Sequence, residues 1–245
     1  MRVLMVENDL HNARMMSALF ESARLTADVA ESGDDALEMA RHYDYDIVVT
    51  ASDLPDMDGV ELLRRLRLAR NLAPVMMIGA PARSDLRLRA FATGADDVMA
   101  APVDPAEFLA RLRAIVRRSR GYSNAALSVG NITLHMETRE AAVAGRPVHL
   151  TGKEYAILEL LVLRKGMVLT KDAFLSHLYG GLDEPEMKII DVFVCKLRKK
   201  LALAGADNLI ATLWGRGYML REETRAPVAA SAASILSKAP VAAAA

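Results

Sequence analysis

The sequence predicts a two-domain protein. A doubly wound α/β domain with a five-stranded parallel sheet comes first, and a smaller domain of three helices and a terminal hairpin follows. Three observations carry this. In residues 1–119 short apolar runs alternate with amphipathic helical stretches, the pattern of a parallel sheet covered on both faces. Residues 120–126 are small and polar and read as a linker. Beyond them the pattern changes to short alternating strands, capped helices and a glycine-rich hairpin. A chain of 245 residues is long enough for two domains, each with its own core.

Each element has its own signal. Residues 2–6 are a continuous apolar run, read as a buried strand. In residues 11–23, Met15, Met16, Leu19 and Phe20 recur at helical spacing. A second strand is expected at 27–30 and a helix at 33–42. The third strand runs over 47–50, and the helix at 59–69 places Val60, Leu63 and Leu66 on one face. Strands at 74–78 and 97–101 flank a helix at 84–93 that Gly94 ends, and a helix at 105–118 closes the domain. Ligands of such a sheet bind at the C-terminal ends of its strands. That gathers Glu7, Asn8, Asp9, Ala51, Gly79 and Ala101 around one crevice.

The second domain is expected over 127–222. Residues 132–136 and 140–143 alternate like strands of a small antiparallel sheet, with Gly145-Arg146-Pro147 as a turn. Thr151 and Glu154 form a capping box that opens a helix over 152–164. Gly166 stops it. Thr170 caps a second helix reaching residue 178. A loop leads to a third, over 186–202, on which Ile189, Val192 and Phe193 mark apolar positions. Residues 210–213 and 218–220 are two short strands around Trp214-Gly215-Arg216-Gly217. Residues 223–245 are alanine-rich without a core face and are expected to be disordered.

Composition narrows the classes. Hydrophobic residues make up 52% and charged residues 25%, as in a globular chain. Net charge is zero, but unevenly distributed. Residues 1–119 carry 15 basic and 19 acidic side chains; residues 120–245 carry 16 and 12. The basic second half points to an acidic partner, nucleic acid first. Every lysine lies at Lys153 or later. A single cysteine, Cys195, excludes a disulfide framework and a cysteine-built zinc site and fits a reducing cytosol. Glu7 interrupts the N-terminal apolar run too soon for a signal peptide. Neither membrane association, a metal, a cofactor nor enzymatic activity is expected.

Longer strings carry a resemblance. They are His149-Leu150-Thr151-Gly152-Lys153-Glu154-Tyr155, His177-Leu178-Tyr179-Gly180-Gly181, Asp183-Glu184-Pro185, residues 189–200, and Trp214-Gly215-Arg216-Gly217-Tyr218. In the first domain they are Tyr43-Asp44-Tyr45-Asp46, Leu54-Pro55-Asp56-Met57 and Gly94-Ala95-Asp96-Asp97. With these the chain resembles the OmpR/PhoB family of response regulators over residues 1–222, and within it the cell-cycle regulators of alphaproteobacteria. The resemblance implies a flavodoxin-like receiver followed by a winged helix-turn-helix that binds double-stranded DNA.

The receiver departs from the family at each chemical position. Ala51 stands where the family has its phosphorylated aspartate, and a methyl group cannot accept a phosphoryl group. Asn8 replaces one of the two acids that hold magnesium. Ala101 replaces the lysine, Gly79 the Ser or Thr, and Val98 the aromatic residue that swings on activation. Asp53 is a candidate substitute acceptor, although a solvated turn aspartate is the plainer reading. Glu7 and Asp9 are candidates for weak ion binding, or remnants at the sheet's edge. Cys195 reads as a packing or DNA-facing residue rather than a redox sensor.

For DNA, the resemblance and the basic run imply one face of the third helix, Lys188, Cys195, Lys196 and Lys199, with Val192 a further candidate contact. Lys196 is the candidate base reader. Lys188, Arg198 and Thr212 are candidate phosphate contacts. Trp214, Arg216 and Tyr218 belong to the wing, with Trp214 alternatively packing inside. The family's dimer surface would carry Arg87, Arg89, Asp96, Asp97, Glu107, Arg111 and Arg118. The loop Gly180 to Glu186 resembles the segment that touches RNA polymerase, and the terminal alanines resemble tags read by the ClpXP protease. The reading is a cytoplasmic, nucleoid-associated transcription regulator that acts as a homodimer without phosphorylation. An interaction protein pairing with an intact paralogue through the receiver face is the alternative.

Overall fold

A computed structural model describes residues 1–79, 84–180 and 185–221. The first domain is a five-stranded parallel sheet in the order β2-β1-β3-β4-β5. Its strands are β1 (Arg2–Val6), β2 (Thr26–Ala30), β3 (Ile47–Ala51), β4 (Val75–Gly79) and β5 (Asp97–Ala100). Between and after them run α1 (Leu10–Ser22), α2 (Gly33–His42), α3 (Gly59–Leu68), α4 (Ser84–Thr93) and α5 (Pro105–Ser119). β1 is central and wholly buried, which is why its run is apolar at every position.

Side-chain caps fix where helices start. Asp9, Ser32, Asp58 and Asp104 each accept a hydrogen bond from the backbone N–H three residues on. Asp56 adds a second acceptor at the start of α2, taking the N–H groups of Gly33 and Asp34 at 2.9 and 2.8 Å. Those bonds, with the burial that opposes them, leave its carboxyl below the usual range. One face of α1 differs from expectation. Ala13, Met16 and Phe20 are its buried residues, while Met15 is 59% exposed. The four apolar positions predicted for that helix therefore span more than its core stripe.

The second domain opens with an antiparallel sheet of four strands, β6 (Ala126–Val129), β7 (Ile132–His135), β8 (Glu140–Val143) and β9 (Arg146–Val148). The sequence reading recognised β7 and β8 only. β6 begins at Ala126, inside the expected linker, and β9 occupies the expected turn. Pro147 is tolerated there because β9 lies at the sheet's edge. Three helices follow, α6 (Gly152–Leu163), α7 (Lys171–Tyr179) and α8 (Lys188–Leu203), then the hairpin β10 (Ile210–Leu213) and β11 (Gly217–Leu220). The capping box forms at α6, with both Thr151–Glu154 bonds present, and Thr170 caps α7. Residues 181–184 of the loop expected to touch RNA polymerase and the whole tail, 223–245, lie outside the described residues. So do the terminal alanines, on which the degradation-tag reading falls.

The two domains meet at the N-terminal ends of the strands, away from Ala51. The Met1 ammonium bonds the Glu159 carboxylate and lies against His177 Nε2, both at 3.0 Å and all buried. Arg2 pairs with Asp28 and donates to the Ser176 hydroxyl. Thr26 donates to the His177 carbonyl at 3.0 Å. Arg164 of the second domain reaches Asp44 at 2.9 Å and the fully buried Asp46 at 3.6 Å, and Arg120 reaches Asp46 at 3.5 Å. Burial on its own would raise the Asp46 carboxyl. His177, the Met1 ammonium and Arg164 around it, with the Arg2 N–H, bring it down to about 2 instead. Burial and the nearby ammonium hold His177 well below its ordinary value.

Candidate nucleic-acid interface and receiver crevice

The crevice at the C-terminal strand ends is built as the topology requires. β1, β3, β4 and β5 bring Glu7, Ala51, Gly79 and Ala101 to one end of the sheet. The chemistry there is sparse. Asp9 caps α1 through the Asn12 N–H at 2.9 Å, and Glu7 accepts the Asp9 N–H at 3.0 Å. Among the described residues no cluster of three His, Cys, Asp or Glu could hold a metal ion. Ser52, which is buried, donates to the Asp53 carboxylate at 2.7 Å. Its side chain also fills the space in front of Gly79, where an added Cβ would come within 2.9 Å of the Ser52 Cβ. Gly59 is similarly confined, since a Cβ there would lie 2.6 Å from the Ala51 carbonyl oxygen.

The third helix of the second domain, α8, is amphipathic on a different stripe from the one read in sequence. Ile190, Val194, Leu197 and Leu201 face the core. Val192 is 45% exposed and shares the outer face with Lys188, Cys195, Lys196 and Lys199. The predicted helix start at residue 186 moves to Lys188, behind a Met187 that offers no side-chain cap. Asp191, in the first turn, accepts from Lys171 at 2.7 Å and from the Tyr218 hydroxyl at 2.6 Å. These bonds hold the Asp191 carboxyl below its ordinary range. They tie α7, α8 and the hairpin into one unit.

The hairpin is anchored by close packing. Leu169 and Tyr218 exchange both backbone hydrogen bonds, at 2.8 and 2.9 Å. Gly217 has φ of 134°, and a Cβ there would lie 1.9 Å from the Leu169 carbonyl oxygen, so only glycine fits. Tyr218 of the hairpin and Arg198 of α8 fall differently from the sequence reading, while Trp214 follows one of its two alternatives. Tyr218 is 7% exposed and turned inward, and burial with its bond to Asp191 pushes its hydroxyl up to about 12. Arg198 spends its guanidinium inside the chain, on the Ile210 carbonyl at 2.7 Å and the Thr212 hydroxyl at 2.8 Å. Trp214 is 91% exposed, which removes the packing alternative. Arg216 is exposed beside it.

On the receiver, the expected dimer residues do not form one free surface. Arg111 pairs with Asp97 at 2.9 Å and Glu107 at 2.7 Å. Arg89 turns to Asp58 of the α3 cap at 3.0 Å, and Asp96 accepts the Val75 N–H at 2.8 Å. Arg87 and Arg118 are exposed. Sequence reasoning missed two apolar members of this region, Leu88 and Phe91, 73% and 49% exposed on α4. Their exposure was hidden because a lone apolar residue on a short helix reads as core.

Residues 3–113 match the family described as "Response regulator receiver domain", and residues 145–220 match "Transcriptional regulatory protein, C terminal". Over 223 residues the chain is 46% identical to "Cell cycle response regulator CtrA" of Brucella ovis, covering 91% of this chain and 96% of that protein. The chain belongs to the OmpR/PhoB family of response regulators. The CtrA of Brucella anthropi matches it to the same extent, 46% over 223 residues. A solved response regulator, Thermotoga maritima DrrB, described as an OmpR/PhoB homolog, is 24% identical. It covers 90% of this chain and 98% of its own, with a TM-score of 0.44. As a response regulator, the chain couples a receiver to a DNA-binding effector domain. Among the described residues no helix is long and apolar enough to cross a membrane.

Proposed function

We propose that this response regulator binds its DNA sites independently of aspartyl phosphorylation, as a homodimer. The observation that carries the reading is Ala51 at the end of β3, in a crevice where Ser52 and Gly79 are fitted to each other. No carboxylate stands at the acceptor position, and a hydroxyl at residue 79 has no room. The exposure of Lys196, Lys199, Trp214 and Arg216 supports the DNA face. None of these residues takes part in the contacts that join the two domains, so the face is open while the domains are docked. An α-helix of this kind fits the major groove, where Lys196 reads guanine and Val192 and Cys195 meet thymine methyls. Lys188 and Thr212 hold phosphates.

The test is incubation of the full chain with acetyl phosphate and magnesium. Mass, oligomeric state and operator affinity stay unchanged on this reading. A stoichiometric mass gain on Asp53, whose carboxylate already accepts from Ser52, would refute it.

A second reading is favoured by Leu88 and Phe91, the apolar pair exposed on α4. In it the receiver face pairs with an intact CtrA-like paralogue. Sedimentation of the chain alone and on DNA separates the two, because this reading requires a monomer that becomes dimeric only with the paralogue. The loop Gly180 to Glu186 would engage RNA polymerase, and the alanine tail would recruit a ClpXP-type protease, in either case.

A further inference from the structure

We propose that the groove between the two domains is a binding site for a nucleoside polyphosphate. This goes beyond the reading of the DNA face and the crevice, and involves neither. The groove has a volume of about 640 Å³, and its charged lining is Arg41, Arg70, Arg120 and Arg164 against one carboxylate, Asp44. Both domains contribute to it: Arg164 follows α6, whereas Arg41 lies in the last turn of α2 and Arg70 follows α3.

The donors there are incompletely used. Among the described residues neither Arg41 nor Arg70 has an ion-pair partner. Arg164 is only 9% exposed, and its Nε has no acceptor although the guanidinium bonds Asp44. The Nε of Arg120 is likewise buried without an acceptor. A buried N–H group without a partner is costly, so such a site favours an occupant that supplies oxygens. Asp44 and the buried Asp46 engage Arg164 and Arg120, which leaves Arg41 and Arg70 for the phosphate oxygens that planar guanidinium groups match in pairs.

The rest of the lining explains why the phosphate should carry a base. Leu72 of the first domain and Met167 of the second both line the groove, 83% and 54% exposed. Apolar side chains held open beside a polycationic floor suit a flat ring above a chain of phosphates. Because the arginines come from both domains, the occupant would clamp them together at the strand ends opposite Ala51.

The experiment is calorimetric titration of the full chain with ATP, GTP and pyrophosphate, at ionic strength matched with sodium chloride. One saturable site is expected, with nucleotide binding tighter than pyrophosphate. Arg41→Ala with Arg70→Ala should weaken binding by about tenfold or more, since two charge-assisted contacts are lost. Both residues are exposed, so the melting temperature of the free variant serves as the folding control. Lys196→Ala with Lys199→Ala should leave nucleotide binding unchanged. Absence of saturable binding beyond matched salt overturns the proposal, leaving a water-filled groove. So does an unaltered affinity in the Arg41/Arg70 variant, which would put the anion elsewhere. Equal affinity for pyrophosphate and nucleotide overturns the assignment of Leu72 and Met167 to a base.

Discussion

Ser52 and Gly79 occupy one space: a Cβ at residue 79 would stand 2.9 Å from the Ser52 Cβ and 3.0 Å from its Oγ. The Oγ can turn away by a change of rotamer, but the Cβ contact cannot be relieved so, because that atom is fixed to the backbone just beyond β3. Gly79→Thr is therefore expected to destabilise the receiver by about 1–3 kcal/mol, the usual cost of overpacking. Ser52→Gly in the same chain should return part of that loss. Urea unfolding of the two single variants and the double variant measures the coupling, and strict additivity would show that the two positions do not compete.

Restoring the acceptor alone should not restore a switch. Ala51→Asp supplies a carboxylate, but the site still lacks a cation at residue 101 and an acid at residue 8. A phosphoryl group there would have no charged partner to offset its charge. Operator affinity of Ala51→Asp, measured with and without acetyl phosphate, should be the same. A phosphodonor-dependent gain would mean that Gly79 and Ala101 are not limiting.

Lys196 and Arg198 are two residues apart and should fail differently. Lys196→Ala removes an exposed cation and is expected to cost about 1–3 kcal/mol at one base position, relaxing specificity there. Arg198 holds the Ile210 carbonyl and the Thr212 hydroxyl, so Arg198→Ala should loosen the hairpin. Its loss in DNA affinity should then be accompanied by faster hydrogen exchange at residues 210–220. Affinity loss with unchanged exchange would return Arg198 to a direct phosphate contact.

Much of this was legible in sequence because the signals were local. The Thr151–Glu154 box, the apolar run of β1 and the alternation of strands and helices each declare themselves within a few residues. That Ala51 would end a strand was legible as well, and it does end β3; its assignment to the acceptor position came from the family resemblance. What escaped depends on contacts distant in the chain. β9 was read as a turn because Gly145 and Pro147 dominate its local signal, and only its pairing with β8 makes it a strand. Arg198 was assigned to DNA by its place in the basic third helix and Tyr218 by the family resemblance, but their partners lie across the fold. The domain contact was invisible for the same reason: Met1, Asp46, Arg164 and His177 are scattered, and burial together gives them their role.

That contact should respond to acid in two separable steps. His177 is held well below its ordinary value by burial, with the Met1 ammonium, Arg164 and Arg2 acting in the same direction and Asp46 opposing. The docked form thus keeps it neutral, while a separated or unfolded form takes up a proton as pH falls through about 6.5. The stability linked to His177 is present above that pH and is lost as pH falls below it. Asp46 titrates lower. With its carboxyl at about 2 in the docked form, its contribution is present above the ordinary aspartate value and is lost between about 4 and 2. Proteolysis within residues 120–125, followed against pH, reports undocking if the linker becomes accessible when the domains part. Cleavage should rise between pH 6.5 and 5 in the native chain. In His177→Gln, which cannot take up that proton, the rise over this range should flatten, while the loss below pH 4 persists. An identical profile in both chains would remove His177 from the acid response and leave Asp46 and its arginines to account for it alone.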